Sequence, residues 1–369
     1  MNKRKIGVGI IGVHPSQGWA GMTHIPALQA LPDYEIVALT NRTSALAAAA
    51  AHKFGVSHYF TRHEDLLALP EVELVVITVK VPYHFELASA ALRSGKSVYC
   101  EWPLGNGLSE AQALLQLAIE HKAHAAVGLQ SRAAPEMRYV RDLIRSGYVG
   151  DVLSATLLGS GIIGGATIPS AFAYTLAAKN GAGILNVSFA HATDALSYVL
   201  DSSFDTVSAM LTSRCDSAQI VETGESVAKD TPDQIAISGT LTNGVVVSVH
   251  VRGGMSRGAN FRLEINGTRG DLVITNPMGY PGLAPSTILG GQDADAGVST
   301  LEIPARYRGA ALFDTGIAAN VANNYAQLAS DIVTGGATAA TFDEAVALHK
   351  LIDAIERSAA EGSRLTSVA

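Results

Sequence analysis

Over the first 130 residues, apolar positions come in short, nearly unbroken runs separated by helix-forming stretches. Ile6–Val13 is a β-branched run, and Gly21–Leu31 after it reads as a helix. Glu35–Thr40 is a second strand, and Ser44–Phe54 is an alanine-rich helix former. Leu74–Val79 and Ser97–Cys100 are strands separated by a helix over Phe85–Arg93. Ala123–Gly128 is another, after a helix over Ser109–His121. Strands that are apolar on both faces and alternate with helices predict a parallel sheet covered on both sides.

The texture changes near Gly150. Strands dominate from there: Leu153–Leu158, Thr206–Thr212, Gln234–Leu241, Val245–Arg252, Phe261–Asn266 and Asp271–Thr275. Asn243-Gly244 is a tight hairpin signal between two of them. One helix, Ala190–Leu200, interrupts the strands, and two more, Ala319–Val333 and Asp343–Glu361, end the chain. The expectation is an α/β protein in two parts. Residues 1–130 form a doubly wound parallel sheet of the Rossmann type, and 131–369 form an α/β domain with a largely antiparallel open sheet. The terminal helices are free to pack back on the first part.

Composition narrows the function classes. The chain has 369 residues, 48% hydrophobic and 16% charged, with a net charge of −7. That is globular, and without a Lys/Arg run it carries no nucleic-acid footprint. Cys100 and Cys215 lie far apart and suggest neither a disulfide framework nor a metal site, which fits reduced thiols in the cytoplasm. The basic start "MNKRK" before an apolar run resembles a signal peptide, but the run is short and "HPSQGW" follows it, so it reads as a first strand. No apolar stretch approaches a membrane span.

"VGIIGVHPSQGWAGMTHIPAL" passes from strand to helix through a stretched glycine-rich loop. Gly12 closes the strand and Gly18 opens the helix. Glycines there leave room for a pyrophosphate to approach the backbone. The second strand ends in Asn41, Arg42 and Thr43, with no carboxylate for the ribose hydroxyls. That set suits a 2′-phosphate, so the expected cofactor is NAD(P), with NADP favoured. A solvated arginine at a helix start is the plainer alternative.

"VYCEWPLGNGL" raises a separate question, because Trp102 is one of only two tryptophans. "ALRSGKSVYCEWPL", "VGLQSRAAPEMRYVRDLIRSGYVGDV", "GAGILNVSFAHATDAL", "LEINGTRGDL" and "AIERSAAEG" together resemble the glucose–fructose oxidoreductase/inositol dehydrogenase/rhizopine-catabolism family. "QGWAGMTHIPA", "CEW" and "FAHATDAL" are most similar to its branch holding the fungal galactose-pathway repressor. The resemblance implies a nicotinamide between the two domains and a dimer or tetramer formed through the open sheet. It implies a dinucleotide lined by Gly12, Val13, His14, Ser16, Gly18, Trp19, Asn41, Arg42 and Thr43. Val79, Lys80, Pro82, His84, Glu101, Trp102, Pro103 and Gln130 complete that lining.

Two departures stand out. The family pattern has Glu-Lys-Pro where this chain has Glu101-Trp102-Pro103, and an aspartate where it has Val187, four residues before His191. Trp102 cannot serve as acid or base. It is either a floor for nicotinamide or sugar, or a filler of the volume a lysine stem would take. His191 is the best remaining base, with an ordinary pKa near 6.5. Asp194 lies on roughly the same helical face and is more simply structural. Lys80, at a strand end, and Lys179, in "AAKNGAG", are the other proton-handling candidates; exposed loop lysines are their plain alternative. Arg132, Tyr174 and Asn186 join Trp102 and His191 as candidates for binding a sugar-like substrate. Three functions fit: an NAD(P)-dependent oxidoreductase acting at a carbinol of a sugar or polyol, a catalytically silent dinucleotide-binding regulator, and a glycosidase working by oxidation and elimination.

Overall fold

The computed structural model describes residues 4–308 and 316–369. The chain begins with β1 (Ile6–Ile11), α1 (Ile25–Ala30), β2 (Tyr34–Thr40), α2 (Ser44–Phe54), β3 (His58–Phe60) and α3 (His63–Leu67). It continues with β4 (Leu74–Ile77), α4 (His84–Arg93), β5 (Ser97–Cys100), α5 (Leu108–Glu120) and β6 (Ala125–Val127). Then come α6 (Pro135–Arg145), β7 (Val152–Gly161), β8 (Thr167–Ile168), α7 (Ala190–Leu200), β9 (Phe204–Thr212), β10 (Ser217–Ile220) and β11 (Ser226–Ala228). β12 (Gln234–Leu241), β13 (Val246–Gly253), β14 (Phe261–Gly267), β15 (Gly270–Asn276), β16 (Thr287–Gln292) and β17 (Ser299–Thr300) follow. The last elements are α8 (Ile317–Thr334), α9 (Phe342–Ala360) and β18 (Thr366–Ser367).

Two compact units divide these elements. The first comprises the described residues up to Ala133 together with 316–346, and the second holds the rest. α8 belongs to the first unit. Val321, Ala322, Tyr325 and Leu328 of α8 sit in one buried cluster with Val8, Ile10, Leu28, Leu74 and Tyr99. An apolar helical face of that width is stable only against another apolar surface.

In the first unit, six strands run parallel in the order β3-β2-β1-β4-β5-β6. All four residues of β4 are buried, as expected of a strand covered on both faces. The strand order reverses between β1 and β4, which in such sheets marks the ligand-binding edge. The helix expected over Gly21–Leu31 is present, opening as a wide π-helical turn over Ala20–His24 and continuing as α1.

In the second unit, nine strands run in the order β17-β16-β15-β14-β7-β13-β12-β9-β18. Every neighbouring pair is antiparallel except β7 with β13. Gly244 makes the turn between β12 and β13 with φ +86°, a conformation glycine adopts without strain. A smaller sheet, β11-β10-β8, forms a satellite. Among the described residues, no helix is long and apolar enough to cross a membrane, and no His/Cys/Asp/Glu group is arranged to hold a metal ion.

Candidate functional site

The first unit places its candidate residues at the carboxyl ends of its strands. The N–H groups of Gly12 and Val13 donate to Thr40 O at 3.2 and 3.0 Å, tying the first loop to the end of β2. Gly12 has φ +101°, and a Cβ there would lie 2.6 Å from Val79 Cγ1. Gly18 has φ +96° and no heavy atom within 4 Å of where its Cβ would be. Only glycine fits the first position, and the second opens on free space. The loop between them is held from both sides. His14 Nδ1 accepts from the Ser16 N–H at 3.2 Å, and Lys53 donates to Pro15 O at 2.7 Å. Trp19 Nε1 is buried with no hydrogen-bond partner among the described residues.

The three residues after β2 differ in their availability. Asn41 donates its amide to Val13 O at 2.6 Å. Thr43 caps α2, accepting from the Leu46 N–H at 3.3 Å. Arg42 is exposed. Of the three, it is the side chain with no loop or cap to hold.

His84 is 1% exposed and faces two backbone carbonyls, Pro103 O at 2.7 Å from Nδ1 and Val79 O at 2.9 Å from Nε2. Burial lowers its pKa, and the two carbonyls oppose that shift. The ring therefore staples the loop after β4 to the loop after β5, and both nitrogens are turned to backbone instead of a ligand. Its hold on the two loops runs through Val79 and Pro103. Lys80 and Pro82 are exposed beside it. Gln130 is buried, with Oε1 lacking a partner among the described residues. Arg132 is bonded to Glu344 at the start of α9, so its guanidinium already serves a carboxylate of this chain.

After β5 comes a buried polar chain that the sequence reading missed. Glu101 Oε1 lies 3.0 Å from His24 Nε2, off the line of a well-formed hydrogen bond. His24 Nδ1 meets the Tyr325 hydroxyl at 2.7 Å. Tyr34 donates to Tyr325 O at 2.8 Å, and Asn324 donates to the Tyr99 hydroxyl at 3.0 Å. Burial, reinforced by nearby acidic groups, raises the pKa values of Tyr99 and Tyr325 well above the ordinary phenol range, so both keep their protons. His24 occurs in "MTHIPAL", yet its partner lies 301 residues away, beyond any local motif. Trp102 is 5% exposed next to Glu101.

The second unit contributes a separate cluster. His191 is 3% exposed on α7, its ring stacked on Tyr280 at 4.4 Å between centroids and 13° between planes. Its Nδ1 is buried with no partner among the described residues. Burial lowers its pKa from the ordinary value near 6.5 to about 3, which leaves the ring neutral at physiological pH. Tyr280 was not foreseen. It rides on a loop that Asn276 closes, donating to Ala284 O at 2.6 Å and accepting from the Met278 N–H at 2.8 Å.

The remaining candidates of this unit sit before and within α7. Asn180 donates to Tyr174 O at 2.6 Å, which brings Tyr174 beside the exposed Lys179 turn. Tyr174 is half-buried, and burial raises its pKa. Asn186 lies in the wide turn Leu185–Phe189 leading into α7, and Asp194 is buried within that helix. The segment from 213 to 233, which carries β10 and β11, is anchored by Lys229, whose ammonium is 2.5 Å from Asp233 and 3.3 Å from Gly164 O.

Comparison with known proteins places both units. Residues 6–129 match the model of an oxidoreductase family with an NAD-binding Rossmann fold, and residues 135–276 match the Gal80p C-terminal domain. The chain is 32% identical to dehydrogenase aclE of Aspergillus oryzae over 384 aligned positions, covering 98% of each. It is 28% identical to the galactose/lactose metabolism regulatory protein GAL80 of Saccharomyces cerevisiae, over 76% of this chain and 68% of that one. The fold is also that of a levoglucosan dehydrogenase solved with NADH and levoglucosan, with a TM-score of 0.86 at 21% identity, covering 99% of this chain and 100% of the other.

Proposed function

Since the chain belongs to the oxidoreductase family with an NAD-binding Rossmann fold, we propose that it transfers hydride between a nicotinamide dinucleotide and a carbinol of a sugar, polyol or sugar derivative. The observation that carries this reading is His191, a neutral buried imidazole whose Nδ1 has no hydrogen-bond partner among the described residues. Buried polar atoms are normally satisfied, and one left over on a rigid, stacked ring is set aside for a ligand. It can take a hydrogen bond from a substrate hydroxyl. Its low basicity means the ring orients and polarises that hydroxyl and does not keep the proton. Lys179 and Lys80, both exposed, are then the groups through which the proton leaves.

The first loop fits a dinucleotide. Gly12 is crowded against Val79, while Gly18 faces open space in front of a helical turn, the cradle a pyrophosphate needs. The nicotinamide, when bound, supplies the hydride acceptor. Arg42 favours NADP. Trp102 offers an aromatic face to the nicotinamide or the sugar. The open sheet of the second unit forms a homodimer or homotetramer, and the protein works in the cytoplasm.

A second reading has its own support. Trp102 and Val187 occupy two positions where a lysine and an aspartate would handle protons, and the second unit matches the Gal80p C-terminal domain. Both facts favour a dinucleotide-binding regulator without turnover. Purified protein supplied with NAD or NADP and screened against free sugars, polyols and aryl glycosides separates the readings. Reduced dinucleotide should accumulate with at least one free sugar or polyol. Cofactor binding with no turnover of any of them supports the regulator, and release of aryl alcohol supports the glycosidase.

A further inference from the structure

Within the second unit, His191 and Tyr280 are brought together by a run of close backbone contacts. A Cβ on Gly279 would lie 2.1 Å from Ser160 O and 3.3 Å from Gly161 Cα, so the loop just before Tyr280 rests directly on the end of β7. A Cβ on Gly161 would lie 2.4 Å from Ser188 Oγ, so that end of β7 rests on the turn leading into α7. Beyond Tyr280, the Ser286 N–H donates to Glu136 Oε1 on α6 at 3.0 Å. With Asn276 closing the loop from within, the phenol has a fixed seat over the imidazole. The two rings lie 4.4 Å apart and 13° from parallel, a stack that covers one face of His191.

Burial, not a neighbouring charge, sets the state of that imidazole. Asp194 lies one turn on along α7. α6 packs along α7, and its Arg141 and Arg145 are bonded to Asp201, Asp142 to the Tyr307 hydroxyl and Glu136 to the Ser286 N–H, with Arg138 half-buried. The end of β7 and the turn before α7 bring Ser160, Gly161 and Ser188, which do not titrate. On the covering loop the titratable group is Tyr280 itself, half-buried. A phenol face attracts a cation and by itself would favour the charged imidazole. The shift is downward, so the exclusion of water outweighs that attraction.

We propose that Tyr280 is the positioning residue of His191, covering one face of its ring so that the imidazole meets a substrate hydroxyl fixed in direction and without charge. The proposal rests on the hydroxyl-binding reading of His191 given above and adds the residue that maintains it. Tyr280 acts through its ring and through His191; contact with the reacting atoms is not required of it.

NMR titration of the histidine ring signals of the full chain tests this without a substrate, the His191 signal being the one that His191→Gln removes. In the unaltered protein that signal should stay flat between about pH 5 and 8. Tyr280→Ala uncovers the ring and should bring the midpoint into that range, toward the ordinary value of about 6.5. Gly279→Ala keeps Tyr280 but drives its loop off Ser160 O, and should move the midpoint the same way, so the test survives if one variant fails to fold. Tyr280→Phe keeps the covering ring and should leave the signal flat. A signal that stays flat in folded Tyr280→Ala, or in folded Gly279→Ala where the first does not fold, overturns the proposal, and a lowered melting temperature alone then marks Tyr280 as a packing residue. A signal that titrates in this range in the unaltered protein, or in Tyr280→Phe, overturns it as well. If the titrations come out as expected while no sugar or polyol is turned over, the hydroxyl-binding reading of His191 falls and the hold of Tyr280 on its ring stands.

Discussion

The carboxylate of Glu101 occupies the space that a side chain at position 128 would need: a Cβ on Gly128 would lie 2.5 Å from Oε1. The two residues follow neighbouring strands, β5 and β6, so the missing side chain on one lets the acid of the other lie across it. Gly128→Ala must push Glu101 away from His24. We expect a loss of about 1–3 kcal/mol in urea unfolding, the usual cost of overfilling a packed site. In a Glu101→Ala background the same substitution should cost much less. Equal costs in the two backgrounds would show that the carboxylate is not the obstacle.

Arg42 is exposed, while its neighbours Asn41 and Thr43 hold a loop and cap a helix. Arg42→Asp should turn a preference for NADP into one for NAD, because it replaces the cation that meets a 2′-phosphate with an acid suited to ribose hydroxyls. Calorimetry with both cofactors reads this directly. Tighter NAD binding by the unaltered protein would remove the phosphate role from Arg42.

His191→Ala should lower turnover by about tenfold, the order that losing one orienting hydrogen bond to the reacting hydroxyl costs, with cofactor affinity nearly unchanged. Because burial holds its pKa down to about 3, the ring is neutral at all pH values above that, and no inflection from it should appear between pH 5 and 8. Turnover unchanged by the substitution would assign the hydroxyl to Lys80, Lys179 or solvent.

Lys229 and Asp233 form an ion pair with side chains 0% and 4% exposed. Burial opposes ionisation of Asp233, but Lys229 and the N–H groups of Arg214 and Cys215 outweigh it and hold the carboxyl below its ordinary range. A carboxyl depressed in the folded state stabilises above its unfolded pKa of about 3.9 and loses that contribution as pH falls through the folded value. Asp233→Ala strands the lysine and should cost about 3–5 kcal/mol near neutral pH. The gap in melting temperature from the unaltered protein should narrow below about pH 4. A gap independent of pH would mean the carboxylate charge is not what matters.

Leu158, His250, Ala236 and Met210 lie opposite one another across β7, β13, β12 and β9, and Leu158 and Met210 are exposed at 43% and 59%. Light scattering at micromolar concentration should give a dimer or tetramer, and Leu158→Asp with Met210→Asp should give a monomer. A monomeric unaltered protein would remove the sheet from any role in assembly.

Periodicity carried the parallel sheet and the antiparallel strands because each strand's burial is a property of its own residues. β4 is apolar throughout, and β13 alternates buried and exposed positions with period two. The glycine loop was legible for the same reason: Gly12 and Gly18 report backbone geometry locally. The short edge strand β3 was not, since His58, Tyr59 and Phe60 carry no burial pattern of their own. Nor were the partners of the site. Nothing near His191 points to Tyr280, nothing near Glu101 to His24, and the pKa of His191 follows from burial that its own sequence does not encode.

The first unit is finished by the end of the chain. Tyr325 and Asn324 reach His24, Tyr34 and Tyr99 from α8. During synthesis at about 5–20 residues per second, about 15–60 s separate the emergence of His24 from that of its partner. All six strands of the parallel sheet leave the ribosome well before the helix that seals them, and the whole nine-stranded sheet but for its last short strand is made in between. A nascent chain therefore carries an open seam lined by tyrosines and a histidine, and it is the natural place for a chaperone to hold or for a truncated product to aggregate.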